Sequence, residues 1–295
     1  MICGLSVISS QAAGQVVTQQ ERDWAKQAIA AENTLAAHPD KNSLVILYFV
    51  NLTGRKDLTP LEKGMTLMLL TDLSLVPEIQ LVERVKLQAL AEELKLGSSG
   101  LVDQQTAPRI GKLVGARTIV GGDFLNTAQK GFDTRSRLLD VETANIKGQF
   151  SVSGDLEDIL KTEKELVTGI VDKLQISLKP EVAAAIRKPC SVNLKALDAM
   201  FRGVDASDRG DYKQAGDLYE EALIADPEVC VAAVALQELV QMGAYSRRGS
   251  FNPRSALEET AQSVSSQTSL TNPYTTKKVL PNSTTTPVTI RANFP

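Results

Sequence analysis

The sequence predicts an α/β domain, a mixed sheet with helices packed on it, followed by a small all-α segment. Three observations carry this. The continuous apolar and β-branched run at 44–50 (LVILYFV) has the pattern of a strand buried on both faces. It is followed by helical and strand-like stretches in alternation, which imply crossover connections, and then by consecutive strands at 117–152, which imply an antiparallel meander. After Pro180 the strand signal stops and helical periodicity takes over.

The elements follow in order. Residues 19–38 are rich in Ala and charge, with Trp24, Ala28 and Leu35 forming a weak apolar stripe that ends at Pro39-Asp40. After the 44–50 strand comes a polar loop to Leu58, then Thr59-Pro60-Leu61-Glu62. Thr59 is an expected N-cap, Pro60 a first helical residue and Glu62 the closing member of a capping box. Leu61, Met65, Met68, Leu69 and Leu73 recur at helical spacing until Pro77. A short strand (79–82) precedes a helix at 84–96 that Gly97 should stop. A GSSG turn leads to a helix at 106–115 that ends at Gly115. The strand at 117–125 is interrupted by Gly121-Gly122, which points to a bulge or a close backbone approach. Strands at 134–141 and 146–152 are joined by a hairpin turn, and Asp155 caps a long helix to about 175.

Three helices follow, at 194–206, 213–225 and 229–242. Gly203, Tyr212, Ala215, Tyr219, Ala222 and Pro227 fall on the small, aromatic and proline positions of a tetratricopeptide-type repeat of about 34 residues. Small residues at 203 and 215 let two antiparallel helices approach, and the tyrosines fill the space between them. Only one full repeat and one further helix are present. Such a unit cannot bury its faces alone, so it should pack on the preceding domain or on a partner. The expected organisation is therefore a signal-peptide remnant (1–15), a helix and linker (16–42), the α/β domain (43–190), the repeat (191–245) and a Ser/Thr/Pro-rich disordered tail (246–295).

Composition narrows the function. In 295 residues the net charge is −3, against the basic surplus of a general nucleic-acid binder. A single histidine, His38, leaves little for His-based catalysis or metal sites. Aromatic content of 4% argues against stacking platforms for bases. The three cysteines (Cys3, Cys190, Cys230) form no CxxC pair. Cys190 and Cys230 are either two small, half-buried hydrophobes or a disulfide, and the sequence leaves both open. The N-terminal apolar run ends in small residues, and Ser10-Gln11-Ala12 fits a cleavage site. It is read as the back half of a signal peptide, with an ordinary disordered N-terminus as the alternative. No window reaches the about 18–20 apolar residues of a membrane helix.

Motifs for chemistry are sparse. No phosphate-binding glycine loop, nucleophile elbow or calcium loop occurs. Glu92-Glu93 and Glu220-Glu221 are adjacent on helices and so diverge. No cofactor or metal is expected. The one candidate site is the loop carrying Asn51, Thr53, Arg55 and Lys56, between a buried strand and a helix N-terminus, where an anion or a partner could dock. Its alternative reading is a polar turn that bonds its own backbone.

A family resemblance rests on specific residues. Tyr48-Phe49-Val50-Asn51-Leu52-Thr53-Gly54, Leu61-Glu62-Lys63-Gly64-Met65, Leu70-Thr71-Asp72-Leu73 and Leu81-Val82-Glu83-Arg84 resemble the curli secretion channel (CsgG) family. So do Ile110–Arg117 and Arg137–Thr143, in the same order along 43–152. The resemblance implies a periplasmic-facing α/β domain of the kind shared with the TolB N-terminal domain and LpoB, an envelope role in assembly or secretion, and no catalysis. It also implies partners among envelope proteins, the chain itself included, and peripheral outer-membrane association. The segments between Val120 and Ser153 are too short for the channel's membrane hairpins, whose strands need about 9–11 residues each. Lys130, Asp133, Arg135 and Arg137 suit a soluble meander. The expectation is thus a non-channel member with a helical repeat. A ring-forming secretion component, and a small-ligand receptor or enzyme using the 51–57 loop, are the alternatives.

Overall fold

The structure is a computed structural model that describes residues 14–35, 41–101, 103, 105–126, 131–154, 158–189, 191–229 and 231–247. The readings made above for Cys3, His38, Cys190, Cys230, the cleavage site and the tail fall outside the described residues.

The centre of the fold is β1 (Ser43–Ile46), four buried residues. It pairs in parallel with β3 (Gln80–Leu81) on one side and with β4 (Thr118–Asn126) on the other. Antiparallel β5 (Phe132–Asp140) and β6 (Ile146–Gly154) extend the sheet, giving the order β3-β1-β4-β5-β6, with β2 (Val50–Asn51) also on β4. This is the mixed α/β sheet expected from the sequence.

The expected single strand at 44–50 is broken. Ile46 lies opposite Val120 and Val50 opposite Asp123. Four steps along one strand thus match three along the other, and one extra residue must be absorbed. Residues 47–49 leave the ladder, and three of their backbone groups find partners. Leu47 N–H donates to Val120 O at 2.8 Å and Phe49 N–H to Glu62 O at 3.2 Å, and Leu47 O accepts from Thr66 Oγ1 at 2.8 Å. The shift turns Phe49 onto Phe124, the ring centroids 5.5 Å apart.

That ring sets the role of Gly122. The β4–β5 ladder runs without interruption through Gly121 and Gly122, and the irregularity lies instead at Leu138/Leu139. Of the two readings, close approach is the one observed. A Cβ on Gly122 would lie 2.2 Å from Phe49 Cε1 and 2.4 Å from the Arg135 carbonyl oxygen.

Helices cover both faces. On one, α2 (Pro60–Leu73) and α6 (Ile159–Lys173) pack on Leu44, Ile46, Val120 and Leu138. On the other, α3 (Arg84–Leu94), the short α4 (Ser98–Leu101) and α5 (Thr106–Val114) cover Val45, Leu47 and Ile119, with α1 (Gln19–Ala30) outside them. Two helix-end expectations change. Lys95, at φ 55°, ends α3 before Gly97 is reached. The capping box at α2 does not form, because Thr59 is already helical and makes no cap. The Glu62 carboxylate accepts instead from Asn51 N at 2.8 Å and Ser98 Oγ at 2.8 Å.

Helix α7 (Pro180–Arg187), which the sequence pattern did not mark, leads to α8 (Leu194–Asp208), α9 (Tyr212–Ala225) and α10 (Ala232–Gln241). These helices share one apolar core with the sheet. Phe201 of α8 lies over Gly64, where a Cβ would come within 2.5 Å of the ring. Helix α2 is therefore buried on both sides, and Leu67 and Thr66 are as inaccessible as its sheet-facing residues.

Gly122→Ala should destabilise the chain by about 1–3 kcal/mol, since backbone lies in the way of the new methyl. Urea unfolding monitored by circular dichroism measures this. An unchanged midpoint would refute the packing argument.

Candidate functional site

Strand order reverses at β1, whose two parallel neighbours are reached by connections over opposite faces of the sheet. Crevices that hold ligands in open α/β sheets lie at the carboxyl end of such a strand. Here that position is an open cleft of about 510 Å³ lined by Tyr48, Glu62, Lys63, Gln88, Lys95 and Asp205, among others. Its lining carries charges of both signs beside apolar surface. Tyr48 Oη donates to Gln88 Oε1 at 2.9 Å, and Gln88 Nε2 donates to Glu92 Oε1 at 3.1 Å.

The 51–57 loop leads into α2, and its Asn51 N–H is bound to Glu62, a residue of the cleft wall. Asn51 Oδ1 accepts from Thr53 N at 3.1 Å and Thr53 Oγ1 at 2.5 Å, and Asn51 Nδ2 donates to Arg55 O at 2.7 Å. Thr53 Oγ1 accepts from Arg55 N at 3.1 Å, while Asn126 Nδ2 donates to Thr53 O at 2.6 Å. The Arg55 guanidinium pairs with Asp57 at 2.6 Å, so its charge is already matched. Lys56 sits exposed in a single 3-10 turn, Lys56–Leu58. Asn51 and Thr53 thus organise the loop, and Arg55 and Lys56 form its outer surface.

Behind the cleft lies a buried charge cluster that sequence reasoning missed. Arg84, 3% exposed at the start of α3, donates from Nη1 to both Asp208 oxygens at 2.9 and 3.1 Å and from Nη2 to the Gln15 carbonyl. Lys63 of α2 reaches Asp208 at 2.9 Å and Asp205 at 3.1 Å, and its ammonium lies 5.6 Å from the Tyr48 ring centroid. On the far side, Glu238 of α10 accepts from Gln15 N at 2.8 Å and Val16 N at 2.9 Å. Burial lowers the Arg84 pKa, but the Asp208 carboxylate outweighs it and the guanidinium is held firmly charged. Burial likewise raises the Tyr48 hydroxyl well above its ordinary value, so it remains neutral. Arg84 was quoted above only within a family-like motif. Nothing in its local pattern names Asp208, which lies 124 residues away.

The repeat-type positions come together between α8 and α9. Tyr219 is fully buried, its ring so close to Gly203 that a Cβ there would lie 2.6 Å away. Ala215 and Ala222 are also fully buried, Tyr212 is half-buried at the start of α9, and Pro227 lies just beyond the Asp226 C-cap. Neither Tyr219 nor Ala215 is accessible to a partner.

A second polar cluster joins α2 to α6. Lys164 Nζ contacts Asp72 and lies 3.2 Å from Glu163, both carboxylates being nearly inaccessible. Burial, and then the neighbouring Asp72 charge, push Glu163 up to about 8. Burial also raises Asp72, against the opposing pull of Lys164. Among the described residues no group of three or more His, Cys, Asp or Glu is placed to hold a metal ion. No helix among them is long and apolar enough to cross a membrane.

Comparison with known proteins agrees with part of this picture. The family of the curli production assembly/transport component CsgG matches residues 34–127, which take in β1, α2, β3, α3, α5 and β4. The stretch stops short of Asp140–Thr143 and of the helical part. No curated protein matches the chain. Among solved structures, the LpoB C-terminal domain of Salmonella enterica is 15% identical at a TM-score of 0.33, covering 45% of this chain and 98% of that one. The Escherichia coli LpoB C-terminal domain is 17% identical at 0.33, with the same coverage. Lipoprotein GNA1162 of Neisseria meningitidis is 11% identical at 0.31, covering 47% and 99%.

Two outcomes are expected. Asp208→Leu should cost about 3–5 kcal/mol, because it strands the buried Arg84 charge. Arg84→Met should cost less, since Lys63 still pairs with Asp208, and the double variant should recover most of the loss; urea unfolding of all three orders them. The second concerns pH. Glu163 and Asp72 are both raised, so their contribution to stability is fully present below the ordinary carboxylate range and is lost as pH rises through the folded-state values. The thermal midpoint should fall between about pH 5 and pH 8, and Glu163→Gln should flatten that slope.

Proposed function

We propose that this chain is a non-catalytic accessory protein of the cell envelope, periplasmic and peripherally associated with the outer membrane, that works by protein–protein contact in assembly or secretion. The observation that carries the reading is the match of residues 34–127 to the curli assembly/transport family. That stretch supplies the cleft wall from Tyr48 to Ser98 and the whole 51–57 loop. The contact surface is the outer side of that loop: Asn51 and Thr53 set its shape, and Arg55 and Lys56 face the partner. The helical repeat acts as a fixed extension of the domain, because Arg84, Lys63 and Phe201 tie α8 to α2 and α3.

The cleft favours a second reading, a small polar ligand at the strand-order reversal. One experiment separates the two. A photo-reactive residue replaces Lys56 in the full chain in its native cells, which are then irradiated and fractionated. The first reading expects the chain in the envelope fraction with a discrete adduct to an envelope protein. Recovery in the cytosol alone, or a clean blank after irradiation, would overturn it. A thermal shift with a small polar compound in that case would move support to the second.

A further inference from the structure

We propose that two copies of this chain pair edge to edge through β6, about a twofold axis at Ser151. The two edges of the sheet differ sharply. One is β3, two residues long and so a poor template for pairing. The other is β6, nine residues with no partner on its outer side among the described residues, and none of the nine is buried. Unpaired strands of this length are normally blunted by proline, by bulges in mid-strand or by charges along the edge. Here the register irregularity lies at the very start, where Leu138 and Leu139 face Gly148 and Ile146 and leave Lys147 as the extra residue. Lys147 is turned back to Asp140 at 2.7 Å. From Gly148 to Gly154 the ladder is regular and the sequence, GQFSVSG, contains no charge and no proline.

That segment is nearly its own reverse. Antiparallel pairing about Ser151 sets Gly148 opposite Gly154, Gln149 opposite Ser153 and Phe150 opposite Val152. Residues directly opposite in an antiparallel pair share a face, so polar meets polar and apolar meets apolar. Aromatic against β-branched is among the favourable cross-strand pairs, and no like charges meet. The segment also has apolar surface left to cover. On β5 the residues facing α6, from Phe132 to Leu138, are buried, whereas Phe150 and Val152 in the next row are only half-buried. A foreign strand would satisfy the backbone equally well. The matched halves of the segment favour a second copy.

The test is light scattering on the full chain across concentrations, with charge variants at the axis. Ser151 is exposed, so Ser151→Lys leaves the monomer fold intact, which an unchanged circular dichroism spectrum, and a thermal midpoint matched to the parent's at dilutions where both are monomeric, verify. The parent should show a dimer that dissociates on dilution. Ser151→Lys, which opposes two like charges, should raise the dissociation constant by about tenfold or more. Ser151→Glu should do the same, and an equimolar mixture of the two variants should restore a heterodimer. Ser151→Cys provides an independent readout, since directly opposed residues lie within disulfide reach. Oxidation should link it into a reducible dimer that the parent does not form. A parent that stays monomeric up to about 1 mM would overturn the proposal. So would a parent dimer indifferent to both charge variants.

Discussion

The arrangement of the whole molecule turns on a charge that cannot be left alone. Arg84 is almost sealed from water at the start of α3, and an unpaired guanidinium there would carry a desolvation cost of several kcal/mol. Asp208 at the end of α8 meets it bidentately, Lys63 of α2 shares the same carboxylate, and the Gln15 carbonyl takes another donor. Glu238 of α10 then holds the backbone of Gln15 and Val16. One ion thereby sets the mutual position of the N-terminal segment, α2, α3, α8 and α10. A buried pair of this kind adds little net stability, while removing one partner leaves the other ion uncompensated.

Apolar packing agrees with this polar lock. The three C-terminal helices are too few to bury all their own faces, and Phe201 of α8 lies over Gly64 of α2. The helical part consequently shares one apolar core with the sheet. Its repeat-type residues, Gly203, Ala215, Tyr219 and Ala222, are spent on the α8–α9 contact, which leaves the outer surfaces of the molecule to make outside contacts.

Much of the fold was legible in the sequence. The central strand, the antiparallel strands, α2, α3, α5, α6 and the three C-terminal helices all follow from period and punctuation, because an amphipathic stripe or a buried run is a local property. Two of the misreadings arise from contacts made across the structure, and the third from a weak local pattern. The 44–50 run was expected to be one strand, but a residue had to be absorbed against β4. Glu62 was expected in a capping box, but Asn51 and Ser98 offered it donors across the structure. Helix α7 was missed because only Ile186 among its residues is buried, so its stripe is faint.

The candidate site divides in the same way. Asn51, Thr53, Arg55 and Lys56 were visible because a polar loop between a buried strand and a proline-started helix has a recognisable pattern. That Asn51 N–H is bound to Glu62 of the cleft wall, and that Arg55 is already paired, depended on where Glu62 and Asp57 come to rest. What this sequence determined by itself is most of the longer helices and strands, and that histidine-based chemistry has almost nothing to work with. What only the tertiary structure decided is which charges meet: Arg84 with Asp208, and Asp72 with Glu163 and Lys164. Periodicity reports the face a residue presents, whereas an ion pair spanning 124 residues is selected by the packing of the elements that carry it.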